Sequence, residues 1–227
     1  MRRRTPQVDA PAQDNFTISI SDLMSGLLAI FILVLSYFIL NFTQETAQLT
    51  QNDETRAELL RFIQKELHDR EGIDVIINNE HDILRIPDGV LFDPGLADVK
   101  PQGRNVIQKL GKVIEIALET EQFKGRVETI FIEGHTDNVP INNGIFPSNW
   151  ELSTKRAINT WLVMSSAQPR LLGFKNNKGE LIFSVSGYAD TRPIADNTTE
   201  DERRKNRRID IRFSMMPPST KGKELAK

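Results

Sequence analysis

Residues 21–40 read SDLMSGLLAIFILVLSYFIL. From Leu23 to Leu40 no Asp, Glu, Lys or Arg interrupts the run, and about 18 residues at roughly 1.5 Å rise nearly span a hydrocarbon core of about 30 Å. Ser19, Ile20, Ser21 and Asp22 complete the span, so the pattern predicts a membrane helix over residues 16–42. Phe31, Val34, Tyr37 and Phe38 make it apolar on every face, which a core helix of a soluble domain rarely needs. A secretory signal peptide fits less well: the apolar run exceeds the usual ~7–15 residues and no A-x-A-like cleavage site follows. Arg2, Arg3 and Arg4 precede the run, whereas Gln44 and Glu45 follow it. The positive-inside bias therefore sets the N-terminus in the cytoplasm and everything after Asn41 outside.

Asp22 is the one carboxylate at the leading end of this helix. It has two readings. It could cap the helix at the cytoplasmic surface, or it could face another subunit and bind and release an ion. Ser21, Ser25, Gly26 and Ala29 are small enough to let neighbouring helices approach closely, which suits the second.

The remainder of the 227 residues leaves room for a connector and one domain of ordinary size. Its 29 basic and 31 acidic residues nearly balance, so no general nucleic-acid binding is implied. There is no cysteine, and His68, His81 and His135 show no ligand spacing, so neither a disulfide, a metal site nor a cofactor is expected. No paired acids and no nucleophile with a base at useful spacing point to catalysis. Residues 1–15 carry two prolines and no apolar period and are expected to form a short cytoplasmic tail. Residues 43–71 hold Leu49, Leu59, Leu60, Ile63 and Leu67 as an incomplete stripe, which predicts a helical connector serving as a spacer or a plug.

Gly72 opens the globular part, expected over residues 72–214, with a loose tail at 215–227. Short β-branched runs at 73–77 and 83–86 predict a hairpin. Residues 102–118 and 153–164 predict helices; 127–132, 181–185 and 208–213 predict strands. The order β-β-α-β-α-β-β gives an α+β fold, a mixed sheet covered by two helices.

Three segments in that frame carry candidate chemistry. Glu133-Gly134-His135-Thr136-Asp137 ends a strand ahead of a Gly, Pro and Asn-rich loop. Ser148-Asn149-Trp150-Glu151-Leu152-Ser153-Thr154-Lys155-Arg156 opens a helix, with Leu152 and Arg156 on one face. Gly187-Tyr188-Ala189-Asp190 leads towards Asn206-Arg207-Arg208. Taken singly, such a carboxylate or arginine usually forms a structural ion pair.

Together and in order, VLFDPG, EGHTD, LSTKRA, GYADTRPIADN and NRRIDIRF resemble the peptidoglycan-binding domain of the OmpA and MotB families, over residues 91–213. SNWELS is closest to the stator-type members, and the short tail, the DLMSGLLAIF segment and the brief connector resemble most the ZorB subunits of Zorya anti-phage defence systems. The resemblance implies that Asp137 and Arg156 hold the amine and carboxylate of diaminopimelate in the peptide stem, with Thr136, Asn149 and Leu152 lining the pocket. Arg207 and Arg208 are expected to be structural. It also implies that Asp22 carries the ion of a proton-driven motor, in which a self-dimer of this chain sits inside a ring of ZorA/MotA-like multi-helix subunits in the bacterial inner membrane and is fixed to peptidoglycan. Ser21 and Ser25 leave both proton and sodium open. A flagellar MotB-type stator subunit and a non-conducting OmpA-like tether are the alternatives, and no catalytic residue is implied.

Overall fold

The computed structural model describes residues 13–71, 76–78 and 83–216. The expected cytoplasmic tail up to residue 12, the start of the first strand, the hairpin connection at 79–82 and the C-terminal tail from 217 lie outside the described residues. The chain falls into two units that divide between Gln48 and Leu49; helix α1, Gln13–Glu71, contributes to both.

In the first unit, Ile20–Gln44 is a stretch of 25 residues long and apolar enough to cross a bilayer. Side chains from Ile20 to Leu40, Asp22 included, are exposed on this helix. Its hydroxyl groups turn back onto the helix: Ser25 Oγ donates to the Ser21 carbonyl at 2.7 Å and Thr43 Oγ1 to that of Ile39 at 3.0 Å. Such a bond satisfies the hydroxyl that makes it where water is scarce.

The second unit is a five-stranded sheet in the order β1-β2-β5-β3-β4, made of β1 Ile76–Asn78, β2 Ile83–Pro87, β3 Val127–His135, β4 Phe183–Gly187 and β5 Arg208–Met215. β3 and β4 run parallel, and the other pairs are antiparallel. The sheet is mixed, as the sequence predicts. Alternation along the strands separates its two faces. Leu84, Ile86, Ile130, Ile132, Ile209, Ile211 and Phe213 enter the core. Arg85, Glu133, His135, Arg208, Asp210 and Arg212 stand on the opposite face, where Arg85 and Glu133 flank Asp210 across three strands.

Helices α3, Pro101–Glu119, and α4, Asn149–Ala167, cover the apolar face. On α3, Ile107, Leu110, Val113, Ile114 and Ala117 are buried at helical spacing. The C-terminal part of α1 is a third contributor. Leu59, Leu60, Ile63 and Leu67 are 0–1% exposed members of the same core, and Phe62 packs on Phe123 with ring centroids 5.7 Å apart. Asn52 Nδ2 also donates to the Met216 carbonyl at 2.9 Å. The compact unit thus begins well upstream of residue 72, because a stripe too narrow to bury a helix by itself is wide enough to close one side of a core.

Two glycines set where α4 sits. Gly134 on β3 and Gly187 on β4 are register partners. A Cβ on Gly134 would overlap the Ser153 carbonyl, and one on Gly187 would overlap Thr154. Without side chains there, the first turns of α4 rest directly on the two strand ends. Ser148 caps that helix by accepting from Trp150 N at 3.2 Å.

Candidate functional site

At the C-terminal end of β3 a cleft of about 530 Å³ opens between four segments. These are the one-turn helix α2, Asp88–Leu91, with the loop after it; the loop after His135; the start of α4; and helix α5, Glu200–Asn206, with Arg207. Thr136, Asp137, Asn149, Leu152 and Arg156, expected from the sequence to share one pocket, all line this cleft. Asp22 lies in the other unit.

Each side chain is held by local structure. Asp137 follows the strand end, where Thr136 N donates to the Ala189 carbonyl at 2.8 Å. Its Oδ1 accepts from Val139 N at 3.1 Å, a turn in which the carboxylate bonds its own backbone two residues on. Asn149, in the first turn of α4, ties that loop to the helix: Nδ2 donates to Val139 O at 3.0 Å and Oδ1 accepts from Ile141 N at 3.2 Å. Leu152, 4% exposed, supplies apolar wall.

Arg156 is 2% exposed. Its Nε donates to the Leu96 carbonyl at 2.8 Å and Nη2 to that of Asp93 at 3.4 Å. The guanidinium also lies over the Phe92 ring, 5.1 Å from the centroid. Nη1 stands 2.9 Å from Asp88 Oδ1, but its N–H is not aimed along that line, so this oxygen has no aligned donor. Burial lowers the basicity of Arg156, an effect that Asp88 and Asp137 oppose.

The partner of Asp137 is Arg207, whose Nη1 lies 2.5 Å from Asp137 Oδ2 while Nη2 reaches Glu200 Oε1 at 2.6 Å. Arg207 therefore forms part of the cleft wall, contrary to the purely structural role expected of it. Arg208 does have that role: it is 3% exposed, with Nε on Asp210 at 2.9 Å and the other nitrogens on the Asn206 and Arg192 carbonyls. The cleft thus presents two buried carboxylates, Asp88 and Asp137, between two guanidiniums anchored from different elements. Such an arrangement offers opposite charges to a small group carrying both. A larger hollow of about 690 Å³ opens around Trp150, Ile145 and Leu96. Its charged residues, Asp98, Glu151 and Lys155, are all exposed, so it lacks this desolvated pairing.

Residues 91–207 match the OmpA family model. The chain belongs to the OmpA family. Motility protein B of Bacillus subtilis is 27% identical over 167 residues, 74% of this chain and 58% of that protein. The chain therefore spans little more than half the length of that relative. Zorya protein ZorB of Escherichia coli O139:H28 is 24% identical over 215 residues, 93% of this chain and 83% of that protein. Among solved structures, a MotB-like protein from Desulfovibrio vulgaris superposes with a TM-score of 0.55 at 21% identity, covering 76% of this chain and 99% of the other. The cell wall anchor of the type VI secretion system from Pseudomonas aeruginosa gives 0.50 at 23% identity, with 69% and 96% covered. At those identities the likeness speaks to the fold.

Within this OmpA-family domain, sequence reasoning missed Asp88, Glu200, Arg204 and the cleft-facing role of Arg207. For α5 a signal existed: Thr199 and Glu202 form a capping box, with Thr199 Oγ1 accepting from Glu202 N at 3.3 Å and Glu202 Oε2 from Thr199 N at 2.9 Å. The Thr198 hydroxyl, together with the backbone N–H groups of Thr199 and Thr198, holds the Glu202 carboxyl down at about 2. For Asp88 there was none, since nothing local links it to a helix 60 residues on.

Asp88 makes a pH prediction. Burial, partly offset by Arg156 and Arg207, raises its pKa from 3.8 to about 6. Between those values the folded chain binds the proton more tightly than the unfolded one, so this group's contribution to stability is present at low pH and lost as pH rises through 6. Asp88→Asn should flatten the stability profile between about pH 4 and 6.5 by on the order of 2 to 3 kcal/mol. Urea unfolding of the two proteins across that range measures it; equal slopes would contradict the assignment.

Proposed function

We propose that this chain is the peptidoglycan-anchored, stator-type subunit of a proton-driven rotary motor in the bacterial inner membrane. The observation that carries the reading is the cleft that Asp137 and Arg156 both line, in a chain that also has, among the described residues, one membrane-length helix bearing an acid at its leading end. In the wall site, the ammonium of a diaminopimelate end replaces the Arg207 guanidinium on Asp137. The neighbouring carboxylate takes the free N–H groups of Arg156, and Thr136, Asn149 and Leu152 shape the pocket around it. Arg156 is already fixed by two backbone carbonyls, so little freedom is lost on binding.

Asp22 is the proton carrier. A carboxylate exposed on a membrane helix needs protein around it, and one helix encloses no channel. The partner is therefore a ring of ZorA/MotA-like multi-helix subunits around two copies of this chain, with the N-terminus cytoplasmic and the OmpA-family domain in the periplasm. Each proton crossing gains about 2.3 kcal/mol per 100 mV, enough to drive the ring past a pair fixed to the wall.

Two motor roles compete. Relatedness over 83% of the length of ZorB, against 58% for motility protein B, favours the anti-phage defence role over the flagellar one. A neighbouring gene for a ring subunit with a long cytoplasmic tail fits defence, and one for a flagellar stator partner fits motility. The wall site is tested by co-sedimentation of the full chain, in detergent, with purified sacculi. Asp137→Ala should weaken retention roughly 10- to 100-fold; wild-type retention would mean that the ligand sits elsewhere.

A further inference from the structure

The face of the sheet turned away from the helices carries a second pocket, of about 410 Å³, which the wall site does not use. Arg85, Arg192, Arg208 and Arg212 line it against only two carboxylates, Glu133 and Asp210. Both acids are already engaged. Asp210 takes Arg85 Nε at 2.8 Å and Arg208 Nε at 2.9 Å, and Glu133 takes Arg212 Nη2 at 2.6 Å. Arg208 is fixed in place, because its remaining nitrogens each donate to a carbonyl, those of Asn206 and Arg192.

Two groups in this pocket remain unmatched. His135 is 3% exposed, yet neither ring nitrogen has a hydrogen-bond partner; Nε2 is 3.7 Å from Asp210 Oδ2, beyond bonding distance. Burial and the facing Arg208, Arg192 and Arg85 push its pKa down to about 3 against the pull of Asp210, so the ring is neutral and keeps one N–H. Leaving that donor unpaired in a buried place is unfavourable. Arg192 lies over the Tyr188 ring, its Cζ 3.5 Å from the centroid, and Tyr188 in turn stacks on His135 at 5.5 Å and 20°. Among the described residues no acid pairs with Arg192.

We propose that this pocket binds a phosphate group, free or as a monoester, with Arg192 and His135 as its principal ligands and the outer nitrogens of Arg85 and Arg212 completing the shell. The charge count selects the ligand class. Four guanidiniums against two carboxylates leave an excess of two positive charges, which a phosphate monoester of about −1.5 to −2 at neutral pH neutralises, whereas a single carboxylate leaves one uncompensated. The donors come from three strands and a loop, and such a spread matches the divergent oxygens of a tetrahedral group better than a planar one. The pocket and the wall cleft share no lining residue, so a substitution at Arg192 removes a ligand of one and leaves the lining of the other unchanged.

The test uses the full chain in phosphatidylcholine nanodiscs, titrated calorimetrically with inorganic phosphate, with a hexose 6-phosphate and with acetate. Both phosphates should bind and acetate should not. A sugar ester at least about tenfold tighter than the free ion would assign the source to a phosphorylated saccharide, and equal affinities would assign it to free phosphate. Arg192→Ala should weaken phosphate binding about tenfold or more, and Arg192→Lys by less, with sacculus binding unchanged in both. The His135 ring nitrogen resonances should shift on phosphate addition to the wild type. No binding up to about 10 mM, or undiminished affinity in Arg192→Ala, would overturn the proposal.

Discussion

Asp22→Asn is expected to abolish proton current in complexes reconstituted with the ring partner, while the chain still inserts in the membrane and still sediments with sacculi. Asparagine keeps the size and the hydrogen-bonding ability of the aspartate but cannot take up and release a proton. The amide is also less costly in a bilayer than a charged acid, so insertion should not suffer. The same substitution separates the motor from the tether. A non-conducting anchor would protect cells or support motility equally well with either residue, and undiminished current through the Asn variant would leave only the anchor. Arg192→Ala and Asp137→Ala act outside the membrane and should leave proton flux per assembled complex unchanged.

Gly134→Ala is expected to be the most destabilising single-methyl change in the OmpA-family domain. The added carbon would overlap the Ser153 carbonyl, which is helix backbone and cannot rotate aside. The helix must lift from β3, and with it Asn149, Leu152 and Arg156. A loss of roughly 3 kcal/mol or more follows, at the upper end of overpacking. Denaturant unfolding of the full chain measures this, and wall binding should fall in parallel. Gly173→Ala is the control, since a Cβ there meets nothing within 4 Å. Equal stability of the two variants would show that α4 is less closely seated than its contacts indicate.

How far the sequence anticipated these features depends on whether the signal was local. Period-2 and period-3.6 patterns gave the strands 127–132 and 208–213 and the helix from residue 102, because burial on one face selects them directly. Asp137 and Arg156 were legible through motif order. Their immediate partners were not: Asp88 meets Arg156, and Arg207 meets Asp137, across contacts 68 and 70 residues long that no local pattern records. Leu59, Leu60, Ile63 and Leu67 were visible as a stripe, yet whether it closed this core or faced another protein depended on a sheet formed later in the chain. The surplus of arginine behind the sheet was hidden for the opposite reason. Alternating charge on β5 reads as an ordinary solvated face until β2 and β3 are set beside it.

The ion pair between Arg207 and Asp137 has a consequence for how firmly the domain grips its polymer. If the proposed wall site is right, an arriving ammonium does not meet a bare anion; it trades places with a cation already seated, and the net number of opposite-charge contacts barely changes. The free energy of a single attachment is then a small difference between two similar terms, and each hold is brief. Durable fixation would have to come from several such grips acting at once along one strand, where a released site is recaptured before its neighbours let go.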